Sequence, residues 1–288
     1  PSGSLAAALL HAMATVEPAP EFILLGGDDL GHVPPAKEGA AAARSSQRAV
    51  AHALRAAFPQ ALVLPALGNH DTWPYFEAGD AAAGARNELA ALYGRGMGRT
   101  QASRLARRGY YRRRLSRWLW LVVLETNALA LPQHAAIGRE QLDWLESTLV
   151  AAREACASVI VLGHIAPGAS HIDWDSMAAA GWSGGGWTAQ AQARLYQILR
   201  GEASRRRRAR SQRHDEASAK EAATGGGGQA GWRAERRTSS NASSTFTGSG
   251  GGSGMCESGG GGVAAMLFGH LHTGSVRLLR LDVEGEEA

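Results

Sequence analysis

Short apolar runs recur along the chain, and each one stops at a polar turn. Glu21–Leu25 ends at Gly26-Gly27-Asp28-Asp29. Ala61–Leu67 ends at Gly68-Asn69-His70-Asp71. Trp118–Glu125 ends at Thr126-Asn127, Ser158–Leu162 at Gly163-His164, and Val263–Phe268 at Gly269-His270-Leu271-His272. Short apolar runs bounded by turn residues predict buried strands. Val276–Val283 predicts one more. Between the runs, Ser4–Ala14 and Ala40–Phe58 predict helices, the second stopped by Pro59. Leu142, Leu145 and Leu149 recur at the spacing of one helix face and predict a helix over Gly138–Ala152. A repeated order of strand, polar turn and helix predicts an α/β fold whose ligands gather at the carboxyl ends of the strands.

The pattern breaks over residues 201–262. This stretch holds an arginine run, Gly225–Gly228, a Ser/Thr/Asn segment and Gly259–Gly262. Such a composition buries too little apolar surface to offset the entropy of ordering it, which predicts a disordered insertion. The domain it interrupts comprises residues 1–200 and 263–288. Asn241-Ala242-Ser243 inside the insertion has the form of a glycosylation acceptor.

Composition adds limits. With 288 residues, 44% of them apolar, the chain can bury a substantial core. No apolar run reaches the roughly 18–20 residues of a membrane span, and Pro1–His11 lacks the form of a signal peptide. The net charge of +4 is concentrated in Arg205–Arg208 with Arg210, and in Arg112–Arg114 with Arg117. No aromatic residue interleaves with Arg205–Arg208 as a base-stacking platform requires, so that run reads as a solvated face rather than a nucleic-acid site. The two cysteines, Cys156 and Cys256, cannot make a disulfide framework, and Cys156 reads as a small core residue.

The polar turns supply carboxylate, amide oxygen and imidazole, the donor types of a hard-to-borderline divalent metal. Glycine ahead of a ligand lets the backbone turn sharply and approach closely. A Gly-Asp pair alone is most often a turn, and a single histidine after a strand is most often a satisfied core or rim residue. The five turns gain meaning from their common place at strand ends.

Gly27-Asp28, Gly68-Asn69-His70-Asp71, Gly163-His164 and Gly269-His270-Leu271-His272 resemble the signature blocks of the calcineurin-like metallophosphoesterases. Asp28-x-x-x-His32-Val33, Asn69-His70-Asp71-Thr72-Trp73-Pro74, Gly109-Tyr110-Tyr111, Glu125-Thr126-Asn127, Gln141-Leu142-x-Trp144-Leu145-Glu146 and His164-Ile165-x-Pro167-Gly168 resemble the acid sphingomyelinase-like phosphodiesterase branch. The resemblance implies a four-layer sandwich, two mixed β-sheets flanked by helices. It implies two divalent metal ions, zinc in this branch. Asp28 would bridge them, Asn69, His164 and His270 would complete one site, and His272 would serve the other. His70 would protonate the leaving group, Asp71 would hold its ring, and His32 would lie near the phosphate. The implied reaction is hydrolysis of a phosphodiester, of sphingomyelin or nucleotide type, by a bridging hydroxide, and the implied setting is secreted or lysosome-like. Two cations about 3.5–4 Å apart can acidify a shared water and clamp phosphate oxygens, and an imidazolium can protonate the departing oxygen.

The sequence departs from the family in places. The family's Asp-x-His block, on a first strand ahead of the helix at Ser4–Ala14, is absent, which favours a chain that starts downstream of it over a degenerate, non-catalytic homologue. Gly274 stands where the branch usually has Asp. Sphingomyelin is therefore no better favoured as substrate than nucleotide phosphodiesters or polyphosphate. A purple-acid-phosphatase-like monoesterase fits less well, because Leu30, Gly31 and His32 stand where that class has a metal-binding tyrosine.

Overall fold

The structure, a computed structural model, describes residues 3–31, 37–168, 186–201 and 262–269. The readings at His32, at His270 and His272, over Val276–Val283, and over the body of the 201–262 segment with Asn241 lie outside the described residues.

Strand β1 (Phe22–Leu25) pairs in parallel with β2 (Leu62–Pro65), joined by helix α2 (Ala40–Ala57). The register sets Phe22 opposite Leu62 and Leu25 opposite Pro65. The two strands therefore end level, and the turns that follow lie side by side. A second sheet has the order β3 (Tyr111–Arg114), β4 (Leu119–Val123), β5 (Ser158–Gly163), β6 (Gly262–Phe268). Its last three strands are mutually parallel, and β3 is an antiparallel edge.

The layers follow from the two-residue alternation of strands. Trp120 and Val122 of β4, with Leu124 beyond it, join a cluster with Leu142, Leu145 and Leu149 of helix α6 (Ala135–Glu154). Leu195 and Ile198 of helix α7, residues 189–201, complete that side. Leu121 and Val123 face the other way, onto Leu64 of β2, Leu89 and Met97 of α3 (Ala83–Met97) and Leu105 of α4 (Arg99–Arg108). A third cluster packs Ile23 of β1 against Leu54 and Phe58, with Leu10 and Ala14 of α1 (Gly3–Val16) alongside. The architecture is thus helix, sheet, sheet, helix. Because β4 is covered on both faces, its sequence is an unbroken apolar run.

Three elements, α3, α4 and β3, occupy the stretch between Asp71 and Trp118 to which the hydrophobic pattern assigns nothing. Strand β3 reads Tyr-Arg-Arg-Arg, and only Tyr111 is buried. An edge strand buries little, so its sequence carries little apolar alternation. Its one core residue still links the sheets: Tyr111 Oη donates to the Pro65 carbonyl at the end of β2 (2.9 Å).

Cys156 corrects the sequence reading. It is half-buried with φ of 55°, just before β5, and it is half of a disulfide rather than a free core thiol. The sequence offers one other cysteine, Cys256, which lies outside the described residues. Thiol titration of the unfolded, unreduced protein is expected to find neither thiol free. Two reactive thiols per chain would refute the pairing.

Candidate metal centre

The centre starts with two backbone turns in contact. Gly27 has φ of 88°, and Asp28 follows with φ of 60°, a conformation seldom adopted by a residue with a side chain. A Cβ on Gly27 would lie 2.5 Å from the Gly68 nitrogen, so only glycine lets the turns meet. Asp71 fastens them. Its Oδ2 accepts the N–H groups of Asp28 (3.0 Å) and Gly68 (2.8 Å), and its Oδ1 accepts the N–H of Asp29 (3.0 Å). In return Asp28 Oδ1 accepts the N–H of His70 (2.8 Å).

The third turn, after β5, closes the group. His164 is buried, and its Nδ1 lies 2.7 Å from the Gly26 carbonyl oxygen. That contact places the Nδ1 proton on the carbonyl and aims Nε2 inward. Nε2 stands 2.9 Å from Asn69 Oδ1 and 3.1 Å from Asp28 Oδ2. Two oxygen acceptors and one ring nitrogen that face one another so closely require a positive centre among them, either a proton on Nε2 or a cation. Carboxylate, amide oxygen and imidazole are the donor set of a divalent metal, so the residues present fit one. Among the described residues, no group of three or more His, Cys, Asp and Glu is arranged to hold a metal, and the third donor in this cluster is an amide.

Electrostatics separate three neighbouring carboxylates. Burial works to raise the pKa of Asp28, but the hydrogen bond and charge of His164, with the His70 amide, outweigh it and hold Asp28 below its ordinary value. Burial likewise opposes the charge on His164, but Asp28 and the Gly26 carbonyl raise its pKa. Asp29 is pushed well up by burial and by the charges of Asp71 and Asp28. Asp71 is raised by burial and by Asp28, against the pull of its amide donors. Of the three, Asp28 is the one whose surroundings lower its pKa and so favour its charged form.

A chain of polar contacts aligns the turn after β4. Gln141 of α6 is fully buried and clamps Glu125 at both backbone groups, accepting its N–H (2.7 Å) and donating to its carbonyl (2.9 Å). The Glu125 carboxylate accepts the N–H groups of Asn127 (3.1 Å) and Ala128 (3.0 Å) and starts the short helix α5 (Asn127–Ala130). Asn127 Nδ2 donates to the Gly68 carbonyl (3.3 Å), behind Asn69. Thr126 Oγ1 accepts the N–H groups of His164 (3.3 Å) and Ile165 (2.9 Å).

The structure thus brings Asp28, Asn69, Asp71 and His164 together, with His70 beside them. The His70 ring packs on Tyr75 with centroids 4.2 Å apart. His32, His270 and His272 lie outside the described residues, but β6 delivers Gly269 to the same place: a Cβ there would lie 3.3 Å from His164 Nδ1. The Gly26 carbonyl and Asp29 went unnoticed in the sequence reading. A backbone carbonyl leaves no trace in a sequence, and Asp29 looks like a second turn residue.

Several known proteins are similar to this chain over part of its length. Over 166 residues the chain is 33% identical to human acid sphingomyelinase-like phosphodiesterase 3b, which covers 55% of this chain and 36% of that protein. Over about half its length the chain is thus similar to acid sphingomyelinase-like phosphodiesterases. It is also 26% identical over 198 residues to sphingomyelinase phosphodiesterase D of Dictyostelium discoideum, covering 66% of this chain and 41% of the relative. Human cyclic GMP-AMP phosphodiesterase SMPDL3A matches at 26% over 153 residues, 51% of this chain and 34% of the relative. The chain thus spans between about a third and two fifths of the length of these relatives. A dimetal phosphatase from Danio rerio superposes with a TM-score of 0.41 at 15% identity over 68% of each chain. No protein-family model matches the chain.

Two outcomes test this geometry. Asp71→Ala orphans three amides, each costing about 1–3 kcal/mol, so urea unfolding should show a loss of at least about 3 kcal/mol. An unchanged midpoint would remove Asp71 from its place as the fastener. Glu125 is fully buried, and burial lifts its pKa from 4.5 to about 7 against the pull of its amide donors and Arg86. Between those values the folded state keeps a proton that the unfolded chain has lost, so this group's contribution to stability falls as pH rises from 4.5 to 7. The slope reaches roughly 1 kcal/mol per pH unit. Stability curves of the wild type and Glu125→Gln should differ by that slope, and parallel curves would contradict it.

Proposed function

We propose that this chain is a phosphoric ester hydrolase that cleaves phosphodiesters of small molecules or lipid headgroups with the help of two divalent metal ions, zinc being the expected metal. The approach of Asn69 Oδ1 (2.9 Å) and Asp28 Oδ2 (3.1 Å) to His164 Nε2 carries the proposal. In this reading Asp28 serves both metals, Asn69, His164 and His270 complete one site, and His272 serves the other. The names of the relatives, phosphodiesterases of sphingomyelinase and cyclic-dinucleotide type, support the reaction class. Residues 1–200 and 263–288 act as one domain around the 201–262 insertion, in a secreted or lysosome-like setting. Among the described residues no helix is long and apolar enough to cross a membrane.

When bound, the metal pair supplies an acidified water and a clamp on the phosphate oxygens. The residues of the chain do the rest. Asp28 keeps its charge beside His164, and the Gly26 carbonyl keeps the His164 ring aimed inward. His70 is anchored through its backbone to Asp28 Oδ1 and shelved on Tyr75, which places an imidazole beside the donor cluster. That imidazole gives its proton to the departing alkoxide. Such a step is worth about 10²–10⁴-fold when the leaving group is poor and little when it is good. Asp71 spends its carboxylate on the Gly68, Asp28 and Asp29 amides, so its work in this reading is to hold the loop that carries His70. His32 completes the phosphate side.

Elemental analysis after zinc loading, paired with hydrolysis assays, tests the reading. The wild type should bind two metals and turn over bis-p-nitrophenyl phosphate, and Asp28→Asn should lower the metal content. His70→Ala should keep the metals and lose about 10²-fold or more on alkyl diesters, but far less on aryl ones. Unchanged metal content in Asp28→Asn would remove the bridging assignment, and equal losses on both substrates would remove the acid role.

A further inference from the structure

The second basic cluster of the sequence gains a shape. Between Glu88 and Glu125 the chain has nine arginines and no Asp or Glu. Some have internal partners. Arg113 donates to the Met97 carbonyl, Arg108 pairs with Glu140, and Arg104 lies over Tyr110 and Trp144. Arg112, Arg114 and Arg117, on the β3–β4 hairpin, have no carboxylate partner among the described residues. Their guanidinium groups lie instead on indole rings: Arg112 and Arg114 over Trp120 at 5.1 and 4.6 Å, and Arg117 over Trp118 at 4.3 Å. Trp118 itself is 55% exposed at the turn. The turn is tied down, with Ser116 Oγ accepting the N–H groups of Trp118 and Leu119 (3.1 Å each) and the Leu119 carbonyl accepting those of Leu115 and Ser116.

We propose that this hairpin docks the protein on a membrane surface rich in anionic phospholipid. A flat guanidinium on a ring keeps its N–H edge free for bidentate phosphate contacts. A single exposed tryptophan between fixed cations matches the depth at which headgroups meet acyl chains. A nucleic acid is disfavoured by the same geometry. Trp120 is 1% exposed beneath its arginines, and Arg117 lies over the Trp118 ring, so the aromatic faces are poorly placed to stack bases. The tip also lies at the amino end of β4, while the donor cluster lies beyond the carboxyl ends of the strands. Docking here localises the protein and leaves the metal centre facing away from that surface.

Co-sedimentation of the full chain with phosphatidylcholine vesicles, with and without phosphatidylserine, tests this. The expected result is binding to the phosphatidylserine vesicles alone. The double variant Arg114→Gln, Arg117→Gln should weaken it roughly thirtyfold, the effect of removing two surface cations, and the Lys double variant should retain most of it. Trp118→Ser should weaken it with the charge unchanged. Metal content gives an independent check that each variant is folded and leaves the metal-centre assignment untouched. Equal binding by wild type and the Gln variant, equal binding to both vesicles, or a hairpin-dependent preference for single-stranded oligonucleotide over phosphatidylserine vesicles would overturn the proposal.

Discussion

Everything at the centre depends on two backbones meeting where β1 and β2 end. The strands stop level because Leu25 pairs with Pro65, and Gly27 and Gly68 then let the two turns come into contact. The Asp71 carboxylate converts that contact into a fixed geometry by gathering amides from both turns. A convergent set of N–H groups is an anion site, and here the anion is supplied by the chain. Asp28 and Asn69 are consequently held by backbone geometry, which is stiffer than the rotamers of long side chains.

The cost of that arrangement is a crowd of carboxylates. Asp28, Asp29 and Asp71 are close enough that their charges oppose one another, and burial opposes all three. Asp28 pairs directly with His164, whose charge also works to lower Asp71. A protein evolved for stability alone would seldom keep such a cluster, since a buried charge is tolerated only when paired. The strain of charge is understandable if a cation completes the group, because a divalent ion held by Asp28, Asn69 and His164 would take the place of a proton there and would stabilise the neighbouring carboxylates.

Much of this was legible in the sequence. Strands β1, β2, β4, β5 and β6 are short apolar runs with sharp polar stops, and the structure moves their limits by a few residues at most. Helices α2 and α6 were equally plain. Elements α3, α4 and β3 were not, because their arginine-rich composition hides the few residues that touch the core, such as Leu105 and Tyr111. That Asp28, Asn69 and His164 come together could be expected from their place after strands. Their mutual distances could not, since these depend on a carbonyl at Gly26 and on amides that any residue possesses. Asp71 adds a role that its position does not suggest, accepting the backbone N–H groups of Asp28, Asp29 and Gly68. Cys156 failed differently, since an apolar setting says nothing about a partner distant in sequence.

Precision at the centre is relayed from the far side of the second sheet. Gln141 sits on α6, whose leucines pack on the face of β4 away from the first sheet, yet it grips Glu125 at both backbone groups. Glu125 shapes the turn that sends Asn127 onto the Gly68 carbonyl, and Thr126 in that turn holds the backbone of His164. Each link joins a different pair of elements, so the three turns of the centre are set by one hydrogen-bonded path rather than by the sheets alone. Sheet packing positions strand ends only within the scatter of side-chain packing, whereas donors for a cation must agree to a few tenths of an ångström. The buried polar residues of α6 and the β4 turn supply that last correction. This explains why Gln141, Glu125 and Asn127, none of them a donor to the cluster, belong to the same motif-bearing part of the chain as the residues that are.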